Sequence, residues 1–177
     1  ENKNYHHILV DLFKDDLPNL PSCNILINNA GTQNDNDIDN NLKAVIRVTE
    51  KYAFQDKIKS VLFIASASGN TGAEFPEYAA SKGGVIAYMK NVALRLAKFH
   101  ATSNSISPGG VITDLNDHIL KSADLYEQVL NETLLHRWSD VEEMAKWAYF
   151  ITVINESMTA QDILIDNGEA AKSNFIW

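Results

Sequence analysis

Disulfide scaffolds, membrane spans and nucleic-acid surfaces are set aside by what this sequence does not contain. Its one cysteine, Cys23, has no internal partner, and a lone thiol beside an apolar strand reads as packing rather than chemistry. A reducing cytoplasm is therefore the expected home. No apolar run approaches the ~18 residues that span a bilayer, and the first residues do not form a signal peptide. Positive charge is scarce: 15 Lys and Arg against 23 Asp and Glu leave a net charge of -8 and no basic patch or helix. That argues against nucleic acid and anionic membranes as partners. The histidines are scattered, and the adjacent His6 and His7 have no carboxylate or cysteine at ligand spacing, so no metal site is assigned.

What is present suits a single domain. A chain of 177 residues with 45% apolar and 21% charged residues can bury a sizeable core. Short apolar runs at 7–12, 24–27, 59–65, 104–107 and 162–166 read as buried parallel strands, with helical periodicity between them. The longest helix is expected from Tyr78 to about His100, with a stripe of Val85, Met89, Val92, Leu96 and Phe99 facing inward. Gly83 and Gly84 inside it require a close packing partner. Residues 139–142, Ser-Asp-Val-Glu, resemble a capping box that opens a helix to about Ile154, with Val141, Met144, Ala145, Ala148 and Ile151 inward.

One stretch carries chemistry. Tyr78 and Lys82 stand four apart in Tyr-Ala-Ala-Ser-Lys, so on a helix they emerge on one face. A free tyrosine titrates near ~10, and a fixed cation beside it favours the phenolate, which makes the pair capable of acid-base work. Alone this spacing is weak, since tyrosine and lysine often share a solvated face.

It has company. Asn28-Asn29-Ala30-Gly31, Asn41-Leu42-Lys43-Ala44, Ile64-Ala65-Ser66-Ala67-Ser68-Gly69 and Pro108-Gly109-Gly110-Val111-Ile112-Thr113 occur in order around it. Together, from about residue 6 to residue 168, the set resembles the short-chain dehydrogenase/reductase family. The resemblance implies a Rossmann-type, doubly wound parallel α/β sheet in three αβα layers and an NAD- or NADP-dependent interconversion of an alcohol with a ketone or aldehyde. It assigns Asn41, Ser66, Tyr78 and Lys82 to catalysis. The cofactor falls to Asp11 and Leu12 (adenine), Asn29, Ala30 and Gly31 (ribose and nicotinamide), Tyr78 and Lys82, and Pro108, Gly109, Val111 and Thr113 over the carboxamide. Asn28 is expected to stabilise the sheet. Of the two candidate serines, Ser66 lies three before Gly69, as the family's does. Residues 114–138 correspond to the family's substrate lid, whose apolar lining suggests a small alcohol or carbonyl substrate with apolar bulk. A homo-oligomer, dimer or tetramer, is expected, with the apolar end 175–177 docked on a neighbouring subunit.

The sequence departs from the family's pattern in three places. The interval from Ser66 to Tyr78 is a residue shorter than the family's, which implies a trimmed loop around Gly72 to Glu77. Nine residues, 32–40, separate Gly31 from Asn41, so a shortened helix or loop is expected there. The first strand, the glycine-rich pyrophosphate turn and the second strand are not in this sequence, which implies that roughly 50 to 70 residues, two βα units, precede Glu1 in the native protein. Two alternatives remain: a 3-oxoacyl thioester reductase, for which only Lys121 and Arg137 offer positive charge near the lid, and a non-catalytic member acting as a binding or assembly partner.

Overall fold

The computed structural model describes residues 4–73 and 75–172; the apolar end 175–177 lies outside them. Four strands form one parallel sheet in the order β1 (Ile25–Asn28), β2 (Ser60–Ile64), β3 (Thr102–Pro108) and β4 (Asp162–Ile165). Between them run a π-wound turn, Ile38–Lys43, continued by α1 (Ala44–Tyr52), then α2 (Ala67–Thr71) and α3 (Pro76–Leu96). After β3 come α4 (Asp117–Leu120), α5 (Ala123–Leu130) and α6 (Val141–Tyr149), the last prolonged by a π turn, Phe150–Ile154.

Side chains alternate across β2, so its continuous apolar run feeds two cores. Val61 and Phe63 pack beneath α1 and α3 with Val45, Val85, Met89, Val92 and Leu96. Leu62 turns the other way, to Ile106 and Ile151 under the end of α6. Each such large apolar side chain, buried fully, contributes about 1.5–3 kcal/mol. These two faces make the αβα layering. Asn28 is buried and donates to Thr49 Oγ1 at 3.0 Å, tying β1 to α1.

The expected strand over 7–12 does not form. Ile8 and Leu9 are exposed, the backbone there has no ladder, and among the described residues only β2 pairs with β1. Apolar pattern alone cannot hold an extended segment whose N–H and C=O groups have no strand beside them. The helix after residue 138 is capped one residue later than expected. Asp140 is its N-cap and Glu143 completes the box, because Ser139 is drawn instead into backbone bonds with Gly110 and Ile112. That shift leaves Val141 and Ala145 exposed rather than inward.

Gly69 and Gly83 are where α2 meets α3. A Cβ on Gly69 would stand 2.8 Å from both Gly83 N and the Lys82 carbonyl carbon, and Gly84 packs on the Leu42 side chain. Backbone cannot give way as a side-chain tip can. Gly69→Ala is predicted to cost about 1–3 kcal/mol in denaturant unfolding; an unchanged midpoint would mean the two helices do not close on each other this way.

Candidate active site

Three chain segments converge at the carboxyl ends of the strands, the edge at which ligands bind in open α/β sheets. The first leaves β2 at Ile64 and turns into α2 through Ser66, the N-cap of that helix, whose Oγ accepts from the Ser68 amide at 3.2 Å. Ser66 is buried, and with Oγ occupied as an acceptor its O–H proton remains to be donated.

The second segment is the start of α3. Pro76 occupies its first turn, where a missing N–H costs nothing, so the helix begins just ahead of Tyr78. Lys82, one turn on, reaches back toward the helix start: Nζ lies 5.6 Å from the Tyr78 ring centroid and donates to the Ile64 carbonyl at 2.9 Å. The residue is only 6% exposed. Burial drives the Lys82 ammonium down to about 8, and the Asp37 carboxylate acts against that fall.

The third segment leaves β3 at Pro108. Residues 110–112 are pinned to Ser139, with Ser139 N bonding Gly110 O at 3.1 Å and Ile112 N bonding Ser139 O at 2.9 Å. Trp138 fills the space that a Gly110 side chain would take and meets Tyr126 edge-on at 6.0 Å. Thr113 stands at the N-cap of a short turn with no capping bond from its side chain.

Between these segments lies a cavity of about 610 Å³. Ser66, Tyr78, Lys82, Pro108, Gly109, Val111 and Thr113 line it, as does Ser68. Phe75, Leu115, Ile119, Val129 and Trp138 give it an apolar wall; His118, Glu132 and Glu169 also face it. Trp138, at the end of the 114–138 segment, carried no sequence signal, because its contact with Gly110 spans two loops.

Other sequence-stated positions lie outside this cavity. Leu12, Asn29 and Ala30 line a separate hollow of about 60 Å³ at the end of β1. Asp11 is folded onto its own turn, its Oδ1 accepting from the amides of Phe13 and Lys14, bonds that hold its carboxyl below the usual range. Arg47 anchors that turn through the Leu12 and Phe13 carbonyls. Gly31 and Asn41 stand behind Lys82: a Gly31 Cβ would be 3.1 Å from Asn41 Oδ1 and 3.4 Å from Lys82 Nζ. The Asn41 amide is engaged by protein, accepting from Thr32 N at 2.7 Å and donating to Thr32 O at 2.8 Å and Ser81 Oγ at 3.3 Å.

The residues present fit the nicotinamide end of a dinucleotide. Lys82 lines the cavity and keeps ammonium protons beyond the one given to Ile64, to which a ribose hydroxyl could be held. No helix among the described residues is long and apolar enough to cross a membrane.

Comparison with known proteins points the same way. The family model described as enoyl-(acyl carrier protein) reductase matches residues 27–169. A 3-oxoacyl-[acyl-carrier-protein] reductase of Staphylococcus epidermidis is 29% identical, the match covering 89% of this chain and 71% of that protein. The L-rhamnose 1-dehydrogenase (NADP(+)) of Thermoplasma acidophilum is 28% identical over 72% of this chain and 53% of its own. Among solved structures, a 4-hydroxyisoleucine dehydrogenase mutant complexed with NADH and succinate superposes with a TM-score of 0.79 at 29% identity, covering 87% of this chain and 71% of that one. A putative 2-deoxy-D-gluconate 3-dehydrogenase of Agrobacterium tumefaciens with bound NADP gives 0.77 at 26% identity, covering 84% and 68%.

A buried lysine with a lowered pKa leaves a pH signature on stability. Below about 8 both folded and unfolded chains carry the Lys82 proton; between about 8 and 10.5 the folded chain has lost it and the unfolded chain has not, so stability rises with pH across that window. Relative to Lys82→Met, the native chain is predicted to gain on the order of 3 kcal/mol from pH 8 to 10.5 in denaturant titrations. A difference that stays flat would show that Lys82 is solvated.

Proposed function

Because this chain belongs to the short-chain dehydrogenase/reductase family, we propose that it is an NAD- or NADP-dependent oxidoreductase interconverting an alcohol and a ketone or aldehyde. The observation that carries the reading is that Ser66, Tyr78 and Lys82, delivered by different elements, line one cavity together with the 108–113 segment. The cofactor, when bound, supplies or accepts the hydride at its nicotinamide ring.

The chain's own residues handle the proton and the charge. Ser66, its proton free for donation, hydrogen-bonds the substrate oxygen as negative charge gathers there, the kind of preorganised stabilisation that often dominates catalysis. Tyr78 gives its phenolic proton to the developing alkoxide during reduction and takes it back during oxidation. Lys82 holds positive charge one turn away, favouring the phenolate, and its remaining protons meet the nicotinamide ribose. Asn41 braces the turn behind Lys82 and supports the water that resupplies the proton. Asn29, Ala30 and Gly31 would border the ribose side, Pro108, Gly109, Val111 and Thr113 would cover the carboxamide, and Asp11 with Leu12 would flank the adenine end. Residues 114–138 act as the lid of a single 1–177 domain.

The cavity favours an uncharged substrate with apolar bulk, since Phe75, Leu115, Ile119 and Val129 face it and the carboxylate of Glu132 would repel an anion. A thioester on an acidic carrier protein needs positive charge at the lid, yet Lys121 is paired with Asp117 and Arg137 is held by both oxygens of Glu143. A reductase of small carbonyls with apolar bulk is the better reading. A purely structural role would leave the buried ammonium beside Tyr78 without a purpose. We place the protein in the cytoplasm as a dimer or tetramer, in keeping with the Leu94 side chain, 77% exposed on α3.

The test is Tyr78→Phe in the full-length protein. Turnover with NADH or NADPH and a panel of ketones is predicted to fall by about 10³-fold or more, with thermal stability within about 1 kcal/mol of the parent. Appreciable remaining activity would remove Tyr78 from the reaction.

A further inference from the structure

Asp37 sits in the shortened segment between Gly31 and Asn41. It is a carboxylate only 1% exposed, and among the described residues no cation lies within ion-pair distance of it. Its Oδ1 accepts from Thr32 Oγ1 at 2.9 Å, Asn34 N at 3.0 Å and Asn41 Nδ2 at 3.3 Å. The Asn41 amide so held places its Oδ1 3.1 Å from the point a Gly31 Cβ would occupy, and Lys82 Nζ lies 3.4 Å from that same point. A buried carboxylate therefore holds the amide nitrogen of a side chain whose oxygen lies close to the same backbone point as a buried ammonium.

Isolated charges this deep are costly, and each lowers the cost of the other. Lys82 has Tyr78 on its own helix and the Asp37 carboxylate acting on it from the 32–37 segment, while His118, Glu132 and Glu169 line the same cavity. Of the three carboxylates, only Asp37 is enclosed on the side away from the cavity, where no arriving ligand displaces it.

We propose that Asp37 is a positioning residue of this site: its carboxylate keeps Lys82 an ammonium and, through Asn41, fixes where that ammonium stands. The catalytic part of this proposal rests on the oxidoreductase reading; the coupling between the two charges does not. Asp37 touches neither substrate nor hydride and acts through Lys82 alone. Its position follows from the short segment: Asp37 precedes the π-wound turn that carries Asn41, and the bond between their side chains, four residues apart, joins the segment to that turn.

The experiment is a ¹³Cε NMR titration of lysine-labelled full-length protein without cofactor, the Lys82 signal being identified by its loss in Lys82→Arg. In Asp37→Asn, which keeps the shape and the acceptor oxygen but not the charge, Lys82 is expected to titrate at least about half a pH unit lower, a threefold change in acidity. Asp37→Ser provides a second charge-free variant should the amide disturb folding, and Asp37→Glu should return the titration toward that of the parent. In the same variants the alkaline limb of kcat/KM for carbonyl reduction should move down by a similar amount. A role confined to structure would lower stability and leave both the Lys82 signal and the limb in place, and that result would overturn the proposal. If the signal moves but the protein shows no NAD(P)-dependent turnover with any carbonyl, the coupling stands and the oxidoreductase reading falls.

Discussion

A lysine ammonium enclosed by protein is the constraint on which this structure turns. Desolvation of Lys82 costs several kcal/mol unless it is answered, and the answers reach into every neighbouring element. The Ile64 carbonyl ties it to the end of β2, Tyr78 shares its helix face, and Gly31 comes within contact distance of it and of Asn41. Asn41 and Asp37 close the rear. A side chain of this chemistry would be excluded from a core selected for stability alone.

The sheet exists, in functional terms, to hold these parts in register. β2 delivers Ser66 and β3 delivers Pro108, and their parallel pairing, Ile64 beside Ile106, sets the separation of the two cavity walls. The contact of Gly69 with Gly83 then brings α2 against α3, so the turn bearing Ser66 and the helix bearing Tyr78 and Lys82 cannot drift apart. Stability and site geometry are carried by the same contacts, above all by Val61 and Phe63 beneath Met89 and Val92.

Much of this was legible in the sequence because it depends on short-range periodicity. The spacing of Tyr78 and Lys82 places them on one helix face whatever surrounds them, and the β-branched and aromatic run around Phe63 forms a buried strand wherever neighbours exist. Where partners decide, the sequence misled. Residues 7–12 have a strand's composition, but among the described residues no strand pairs with them. Ser139 and Asp140 are both competent caps, and the choice fell to Asp140 because Arg137 steadies Glu143 and Ser139 is held by the loop 110–112 and by Asn167. Asp37 was hidden for a related reason: within a run of Asn and Asp it looks like a solvated turn residue, and only the fold shows it enclosed.

In the proposed reaction Ser66 and Tyr78 meet on one substrate oxygen while Lys82 stands behind them. A crystal structure of the full-length protein with oxidised cofactor and a bound alcohol or ketone measures this directly. The expected result is a ligand oxygen within about 3 Å of both Ser66 Oγ and Tyr78 Oη, with Lys82 Nζ on the nicotinamide ribose. A ligand oxygen held instead by His118 or Glu132, out of reach of Ser66 and Tyr78, would contradict it.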